Sequence, residues 1–348
     1  MTPRYSCLFV SRMCPRSCGY CLSKDIRGEK TLSPEQWGEA LHILEGHGIV
    51  FHCIIGNELL SYSDPVGLVK ALKPFHERYA IYSTFPPGWT EKYLNDCIDA
   101  GLYNISAGID VFPGLLTGDR HVDRKSESSL YWLKYCKERG VPDVHAAVTI
   151  HRHNYGQLDK LFDLCSEMGL WIGVSMVVAS ADGKHDFYHP TDQMQDWLIP
   201  ESERQQFHDV MYYLAEETRK GRWMMQEPPS YFEGVADREL TGQTWHCSLP
   251  LIINVEEDGS LRSCNYRGGL SEKWSVFDLR PGGALTMDKY VSLQQEATSA
   301  CPGCSSGGGA WSYWMMAEEW QKGDVALGDR NFQVHLPGYE FEKSLRRK

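Results

Sequence analysis

The sequence lacks the features that would direct it to a membrane, out of the cell or to nucleic acid. No apolar stretch reaches the length that spans a bilayer, and the apolar run between Arg4 and Arg12 is too short for a signal peptide. Acidic residues outnumber basic ones, 46 against 35, for a net charge of -11, which argues against a nucleic-acid backbone as the main partner. The basic run at 346–348 is interpreted as a solvated tail. We expect a cytoplasmic protein without membrane or nucleic-acid partners.

Cysteine, in contrast, is plentiful. The chain holds 12 cysteines in 348 residues and shows no secretion signal. This combination indicates a reducing compartment and metal binding rather than disulfides. With 42% hydrophobic residues the chain can also build a full core, as one large domain or as a large and a small one.

Three of the cysteines stand close together near the start of the sequence. Cys14, Cys18 and Cys21 form a C-x3-C-x2-C array, with the aromatic Tyr20 before the last of them. Thiolates are the soft ligands that iron–sulfur clusters use, and three of them hold three irons of a four-iron cube. The fourth iron is left open for a ligand that is not a side chain. A disulfide, a zinc site or three unrelated thiols are the alternatives, although zinc normally takes four ligands in paired spacings.

This array resembles the signature of the radical S-adenosylmethionine (SAM) superfamily. The resemblance implies a [4Fe-4S] cluster whose open iron is chelated by the amino and carboxylate groups of SAM. A reduced cluster then sends one electron into the sulfonium, and the resulting 5′-deoxyadenosyl radical removes a hydrogen atom from a substrate carbon. An external one-electron donor of the flavodoxin or ferredoxin type is implied as a partner. Tyr20, the aromatic residue of the array, is expected at the cofactor site.

A second family motif is expected where a buried strand, predicted over 49–55, ends in Gly56-Asn57-Glu58. In the family, the second strand ends in a Gly-Gly-Glu motif that receives the SAM amino group. Gly56, Asn57 and Glu58 are therefore predicted to bind SAM, although Asn57 replaces the second glycine. The Glu58 carboxylate offers the acceptor that an ammonium group needs. The alternative is a plain strand-to-helix turn with a solvated glutamate.

Two later segments resemble family motifs that contact SAM. Ser106 opens the segment 106–110, which reads Ser-Ala-Gly-Ile-Asp where the family carries Ser-x-Asp-Gly, so the serine is displaced. Arg124 ends the string 121–124, which resembles a segment whose arginine pairs with the SAM carboxylate, a task that suits the bidentate guanidinium. Arg120 competes for that role, and a plain surface arginine is the alternative.

Predicted strands and helices alternate along the first half of the chain. Strands are expected at 5–11, 49–55, 80–84, 103–109, 144–150 and 171–178. The helix after the fourth strand is predicted over 126–139, following a polar loop at 118–125. Alternation implies a parallel sheet with right-handed crossovers, and six strands make a partial (β/α)6 TIM barrel of the α/β class, as the resemblance also implies. The cysteine loop follows the first strand, where barrel enzymes place their sites.

A second cysteine set follows later in the chain. It comprises Cys247, Cys264, Cys301 and Cys304. Asp258-Gly259 predicts a tight hairpin turn between the first two cysteines, and a helix is predicted over 287–298 before the last two. This arrangement resembles the twitch module, the shortened relative of the SPASM extension of radical SAM enzymes. The resemblance implies a second [4Fe-4S] cluster with every iron ligated by cysteine, and a zinc ribbon is the alternative.

The expected domain organisation follows from these motifs. A radical SAM partial barrel at 1–222 leads into a linker at 223–244, a small α+β twitch module with a β-hairpin at 245–321 and a C-terminal tail at 322–348. The open side of a six-stranded barrel leaves room for a substrate larger than a closed barrel would admit.

Three kinds of function are compatible with these motifs. The first is a radical SAM oxidoreductase that abstracts a hydrogen atom from a small polar molecule, such as a sugar or aminocyclitol. The resemblance to twitch-bearing aminocyclitol dehydrogenases implies a two-electron oxidation with the auxiliary cluster as electron acceptor. The second is a ribosomal peptide maturase that cross-links or epimerises, or a redox-neutral epimerase or lyase.

The third is a non-enzymatic iron–sulfur scaffold or electron carrier, which leaves Glu58 and an open three-cysteine site unexplained. The short segment before Cys14 leaves no space for a leader-binding domain, and no further cysteines follow Cys304 as a full SPASM module would require. Both points favour a small-molecule substrate. No catalytic residue is assigned from the sequence.

Overall fold

The computed structural model describes residues 3–21, 31–56, 58–178, 192–243, 252–264, 270–301 and 303–304. Helices and strands alternate through the first part of the chain, as the sequence predicts. Of the site residues predicted from the sequence, Asn57 and Cys247 lie outside the described residues, as does the predicted tail at 322–348.

One sheet runs through the described residues. Its strands are β1 (Tyr5–Phe9), β2 (Phe51–Ile55), β3 (Tyr79–Ser83), β4 (Asn104–Gly108), β5 (Asp143–Ile150), β6 (Trp171–Met176), β7 (Ile252–Val255) and β8 (Leu261–Arg262). Their order is β6-β5-β4-β3-β2-β1-β7-β8. Neighbours from β6 to β7 run parallel, and β7 and β8 form an antiparallel hairpin. The predicted α/β class with a partial barrel is confirmed, since β6 and β8 do not pair with each other within these residues.

The hairpin joins the sheet next to β1. Strand β7 pairs with β1 in parallel, with Cys7 opposite Asn254. The predicted turn is present, and Gly259 adopts a φ of +85°, a conformation that costs glycine little because it has no Cβ atom. The hairpin that the sequence assigns to a separate small module therefore continues the sheet of the barrel.

The two faces of the sheet carry different side chains. Leu8, Ile54 and Ile81 point to one face and pack with helix residues in the main hydrophobic core. The alternate residues Cys7 and Cys53 belong to a smaller cluster made of residues in and beside the strands. This division follows from the period of two along a strand. The face turned away from the helices is the inner face of the barrel.

The helices of the described residues begin at capping residues that the sequence makes visible. They are α1 (Pro34–Gly46), α2 (Pro65–Leu72), α3 (Glu91–Ala100), α4 (Arg120–Glu138), α5 (Leu158–Glu167), α6 (Asp192–Gln195), α7 (Arg204–Arg219), α8 (Pro229–Thr241) and α9 (Met287–Ser299). Ser33 caps α1 by accepting from the Gln36 N–H, and Thr90 caps α3 by accepting from the Tyr93 N–H. Among these helices, none has the length and apolar character needed to cross a lipid bilayer.

Helix α4 begins earlier than the sequence predicts. It begins at Arg120, because Asp119 is its N-cap and accepts hydrogen bonds from two N–H groups of the first turn. The prediction of a polar loop at 118–125 is wrong. Its polar residues lie in the first turns of the helix, where Val122 and Lys125 are buried on one face.

Helix α8 lies within the segment predicted as a linker, 223–244. Phe232 and Val235 of α8 share the main core with Phe207 and Leu214 of α7. This part of the chain is therefore packed against the barrel helices. The domain boundaries at 222 and 244 stay predictions.

Candidate functional site

The first cysteine set lies on the loop that follows β1. Of its three cysteines, Cys18 is buried, and Cys14 and Cys21 are half-buried. The Cys21 N–H donates to the Cys18 carbonyl oxygen at 2.9 Å, and the Arg16 N–H donates to the Cys14 sulfur at 3.4 Å. Because the strands are parallel, this loop shares the carboxyl edge of the sheet with the loops that follow β2, β3 and β4.

Arg16 fastens the cysteine loop to the end of β3. Its guanidinium donates through Nε to the Thr84 carbonyl oxygen at 3.1 Å and through Nη2 to the Phe85 carbonyl oxygen at 2.6 Å. Phe85 has a φ of +40°, which is uncommon for a residue with a side chain, and its ring is fully buried. The buried ring and the two hydrogen bonds hold this turn, which in turn fixes one side of the cysteine loop.

Gly56 lies where the loop after β2 meets the loop after β1. A Cβ atom at Gly56 would lie 2.6 Å from the carbonyl oxygen and 3.2 Å from the nitrogen of Ser11. The close approach of the two backbones therefore requires glycine at this position. It brings the loop that carries Glu58 against the base of the cysteine loop. The predicted contact of Gly56 with SAM stays a prediction.

Glu58 is fully buried and accepts three hydrogen bonds at the end of β3. The donors are Ser83 Oγ at 2.8 Å, Thr84 N–H at 2.5 Å and Thr84 Oγ1 at 2.7 Å. The Thr84 hydroxyl also lies 3.9 Å from the Cys14 sulfur. The alternative of a solvated glutamate is thereby wrong, and Glu58 lies beside the first cysteine of the array. Its role as acceptor for the SAM amino group stays a prediction.

A buried ion pair lies on the other side of the cysteine loop. Lys125 of α4 pairs with Asp110, and the Tyr20 hydroxyl accepts from Lys125 and donates to Asp110. The fully buried Asp110 also accepts from the Thr149 N–H at 2.9 Å. A Cβ atom at Gly108 would lie 2.8 Å from Lys125 Nζ, so the glycine makes room for the ammonium group. The pair therefore has a fixed position.

Opposite charges keep both members of this pair ionised. Burial alone would raise the pKa of Asp110, but Lys125 lowers it below its ordinary value. Burial alone would lower the pKa of Lys125, but Asp110 raises it, and negative charge on Cys18 or Cys21 acts in the same direction. Burial and then the Asp110 charge raise the pKa of Tyr20 well above its ordinary value. The phenol therefore stays protonated and the pair stays charged.

The same environment acts on the thiols. Burial raises the pKa of Cys14, and it raises the pKa of Cys18 to about 12. After burial, Lys125 has the largest effect on the Cys18 pKa and lowers it, whereas Cys21 and Asp110 raise it. Such thiols become ligands by giving up their protons to a metal, since ligation requires the thiolate. The buried ammonium of Lys125 favours that charged form.

Aromatic rings surround Tyr20. It stacks on His151 with ring centroids 5.7 Å apart, and the edge of Trp197 meets it at 5.2 Å. Burial lowers the pKa of His151 to about 3, so the imidazole is neutral. Tyr20 is thus held by an ion pair at its hydroxyl and by two rings at its face and edge. Its role at the cofactor site stays a prediction.

Of the other two residues predicted to bind SAM, one is buried and the other is exposed. Ser106 is buried on the inner face of β4, between Ile105 and Ala107, which belong to the main core. Arg124 is exposed, whereas the next residue, Lys125, is the buried cation that faces the cysteine loop. The roles of Ser106 and Arg124 stay predictions. Sequence reasoning missed Lys125, because a lysine in a polar run gives no sign of burial.

Three cysteines of the second set follow secondary-structure elements that are fixed to each other. Cys264 follows β8, and Cys301 and Cys304 follow α9; all three cysteines are half-buried. Gln294 of α9 donates through Nε2 to the Ser263 carbonyl oxygen at 2.9 Å, directly before Cys264. The helix therefore docks on the strand that leads into the first of these thiols. The four-cysteine set stays a prediction.

Arg12 connects the first cysteine loop with the hairpin. It lies two residues before Cys14, its guanidinium pairs with Glu256 after β7, and its N–H donates to the Glu257 carboxylate at 2.9 Å. Glu256 also pairs with Arg262 of β8 at 3.0 Å. The Arg12 and Glu256 side chains are only 3% and 7% exposed. Because breaking a buried pair is costly, this ion pair couples the positions of the two regions.

Glu227 is a buried carboxyl group that sequence reasoning also missed. It accepts from the Val174 N–H at 2.9 Å, and burial raises its pKa to about 8. A Cβ atom at Gly173, an inner-face position of β6, would lie 3.9 Å from Glu227 Oε1. Burial, and then the charges of Cys53 and Glu227, raise the pKa of Tyr82, which lies on the inner face of β3. The barrel interior thus holds a buried carboxyl group whose pKa is raised well above its ordinary value.

The donor set of the first loop fits a cluster better than a single ion. Among the residues that the structure describes, no three or more His, Cys, Asp or Glu side chains are grouped to hold one metal ion. A four-iron cube bonds each thiolate to a different iron, so its ligands are spread more widely. Cys14, Cys18 and Cys21 lie on one loop, close enough that Cys21 contributes to raising the pKa of each of the other two, although burial is the main cause. They fit a cube with three protein ligands.

The described strands form an open α/β barrel, and three cysteines lie on the loop after its first strand. Residues 8–165 match the radical SAM superfamily. This part of the chain is therefore a radical SAM domain, and that superfamily uses a [4Fe-4S] cluster and SAM.

Solved structures with the same fold cover most of the chain. Streptococcus suis SuiB bound to S-adenosylmethionine is 14% identical, with a TM-score of 0.61 over 86% of this chain and 68% of that one. SuiB bound to precursor peptide SuiA is 13% identical, with a TM-score of 0.58 over 83% and 65%. The anSMEcpe structure with bound AdoMet is 13% identical, with a TM-score of 0.56 over 84% and 83%. At these identities the likeness is one of fold.

Proposed function

We propose that this chain is a radical SAM oxidoreductase that acts on a small polar molecule of the sugar or aminocyclitol type. Bound together, the cluster and SAM supply abstraction of a hydrogen atom from a substrate carbon. The proposal rests mainly on one observation at the carboxyl edge of the open barrel. The Thr84 hydroxyl contacts the Cys14 sulfur and donates to the buried Glu58 carboxylate. It joins the cysteine loop to the carboxylate for which the family motif predicts a SAM contact.

The chain's own residues would divide the work of binding. Cys14, Cys18 and Cys21 would hold the first cluster. The residues that would contact SAM are Tyr20, Gly56, Asn57, Glu58, Ser106 and Arg124. The burial of Glu58 supports its part, because a desolvated carboxylate interacts more strongly with an ammonium group than one in water does.

The inner face of the barrel supports a polar substrate. Ser106 of β4 and His145 of β5 are buried on it, and Tyr82 and Glu227 face the same interior. His145 contacts the Asp143 carboxylate through Nε2 at 2.6 Å, which fixes its ring. Hydroxyl, imidazole and carboxyl groups suit a molecule rich in hydroxyl or amino groups, since each can exchange hydrogen bonds with them.

A two-electron oxidation also requires an acceptor for the second electron. A substrate radical next to an alcohol or amine becomes an oxidised product when it loses one proton and one electron. Cys247, Cys264, Cys301 and Cys304 would hold the auxiliary cluster that accepts this electron. The buried pairing of Arg12 with Glu256 supports a fixed relation between the two regions.

A peptide substrate is the second candidate. SuiB bound to precursor peptide SuiA has the same fold, with a TM-score of 0.58. In the described residues the barrel is open between β6 and β8, which suits a longer ligand as well as a small one. A product that keeps the mass of the substrate would indicate a redox-neutral epimerase instead, and two fragments whose masses add up to that of the substrate would indicate a redox-neutral lyase.

The test uses the full chain, reconstituted anaerobically with iron and sulfide. It is incubated with SAM and either dithionite or a flavodoxin reducing system, and 5′-deoxyadenosine is quantified. We expect reductive cleavage of SAM by the wild type and none by Cys18→Ala. Addition of an aminocyclitol such as 2-deoxystreptamine is expected to stimulate cleavage and to give a product that has lost two hydrogens.

Two results would argue against the proposal. Cluster-loaded wild type that forms no 5′-deoxyadenosine would contradict SAM cleavage itself. Stimulation by synthetic peptides, and not by sugars or aminocyclitols, would replace the oxidation of a small molecule with peptide modification.

A further inference from the structure

One face of α4 is turned toward the cysteine loop. Val122 and Lys125 are three residues apart and therefore lie on the same side of the helix. Val122 is fully buried in a small cluster that also contains Cys18 and Trp197, with Tyr20 and Cys21 packed against it. The same side of α4 that packs on these cysteines thus carries the Lys125 ammonium.

The ammonium of Lys125 has a fixed position. It pairs with Asp110 and donates to the Tyr20 hydroxyl, and the Lys125 side chain is only 7% exposed. Tyr20 stands between Cys18 and Cys21 in the sequence, so Lys125 reaches the loop between two of the three thiols. The partner carboxylate is held in its turn by the Thr149 N–H.

The two charges of the pair reach the loop through the same residue. Lys125 donates to the Tyr20 hydroxyl and lies on the side of α4 that packs against Cys18. Asp110 accepts from that hydroxyl through one carboxylate oxygen and from the Thr149 N–H through the other. Because Lys125 and Asp110 are buried, dissolved ions screen their charges only weakly.

We propose that Lys125 raises the reduction potential of the cluster held by Cys14, Cys18 and Cys21, and that Asp110 limits this increase. A reduced cluster carries one more negative charge than an oxidised one, so a nearby fixed positive charge favours the reduced form. Lys125 acts here as a positioning residue through its charge. The inference rests on the proposed function in one respect, namely that this cysteine set holds a four-iron cluster.

The test is a redox titration of the anaerobically reconstituted full chain, followed by electron paramagnetic resonance. The signal of the first cluster is identified by its absence from the variant with Cys14, Cys18 and Cys21 all changed to Ala. Lys125→Met removes the charge and keeps an unbranched side chain. In this variant we expect the equilibrium constant for one-electron reduction of the first cluster to fall about tenfold. That change corresponds to a shift of the reduction potential by ~59 mV in the negative direction.

Asp110→Asn provides the opposite change. It removes the negative charge and keeps a hydrogen-bonding side chain, so we expect a shift to more positive potential. Lys134→Met is the matched control, because Lys134 lies on the same helix with its side chain 68% exposed. In this variant the reduction potential of the first cluster is expected to equal that of the wild type. Shifts of opposite sign cannot arise from a general loss of structure.

Several results would overturn the inference. One such result is a shift of the reduction potential in the same direction in Lys125→Met and Asp110→Asn. Another is a change of less than twofold in the equilibrium constant for reduction in both variants. If Lys125→Met fails to take up the cluster, Asp110→Asn decides alone, and any result other than a positive shift contradicts the inference. Loss of the cluster from both variants would assign the pair a folding role. A wild type without any cluster would instead contradict the proposed function, and iron analysis before the titration identifies that case.

Discussion

The two cysteine regions of this chain are built in different ways. Cys14, Cys18 and Cys21 lie on one short loop after β1. Cys264 and Cys301 follow β8 and α9, elements separated by more than twenty residues in the sequence. The first region can be located from spacing alone, whereas the second depends on how a hairpin and a helix dock.

Their surroundings differ as well. The first loop is flanked by buried charges, with Glu58 on one side and the Asp110–Lys125 pair on the other. The elements that carry the second set are joined mainly by neutral contacts, such as those of Tyr290 and Gln294 with backbone carbonyl oxygens. We infer that the first region is arranged for charge-dependent chemistry and the second for a stable fold around its thiols.

The largest expected difference between the two regions concerns SAM cleavage. Cys18→Ala removes a ligand of the first cluster and is expected to reduce 5′-deoxyadenosine formation to background, measured by chromatography after incubation with SAM and dithionite. Cys264→Ala is the matched change in the second region and is expected to retain SAM cleavage without substrate. Equal losses in the two variants would show that the regions do not differ in this function.

The next effect concerns the connection between the two regions. Arg12→Met leaves Glu256 buried with Arg262 as its remaining cationic partner. We expect the free energy of unfolding to fall by about 3 kcal/mol, the lower end for breaking a buried ion pair, as measured by denaturant titration. Arg280→Met is the control, since Arg280 pairs with Glu39 while both are about half exposed, and it is expected to change stability little.

An unchanged stability of Arg12→Met would mean that the two regions are not coupled through this pair. The first cysteine loop and the hairpin would then be independent units that merely share the sheet.

A smaller effect is expected at the SAM contact predicted for the first region. Glu58→Gln keeps the shape of the side chain and removes its charge. We expect SAM to bind about tenfold more weakly, about 1.4 kcal/mol, in equilibrium dialysis against the cluster-loaded protein, with iron content unchanged. Glu127→Gln, at an exposed position of α4, should bind SAM as the wild type does. Equal affinity in both variants would remove Glu58 from the SAM site.

The smallest effect is expected at a thiol that belongs to neither region. Cys165 of α5 is fully buried, and burial raises its pKa to about 12. Cys165→Ala is expected to cost about 1 kcal/mol in the free energy of unfolding and to leave turnover intact. Complete loss of turnover with both clusters loaded would identify Cys165 as a hydrogen donor and favour an epimerase.

Features that depend on neighbouring residues could be predicted from the sequence. The start of α1 is such a feature, because Ser33 is its N-cap and Pro34 its first residue. The hairpin turn at Gly259 is likewise a local property of Asp-Gly. The alternation of strands and helices, which predicts the parallel sheet, is local in the same sense. The repeat of apolar residues that marks a strand or a helix is visible within a short window of sequence.

Features that depend on distant contacts could not be predicted. Lys125 and Glu227 stand in polar or proline-containing segments that resemble surface sequence, and their burial depends on the packing of α4 and β6. The partner of Arg12 is 244 residues away along the chain. The pairing of β7 with β1 likewise joins segments that lie far apart in the sequence.

The measurement that tests the central claim most directly is iron and sulfide content after anaerobic reconstitution. It compares the wild type with the variant in which Cys14, Cys18 and Cys21 are all changed to Ala. Two four-iron clusters predict about eight irons per chain in the wild type and about four in the variant. An iron content that does not change when these three cysteines are removed would contradict the assignment of the first loop as a cluster site.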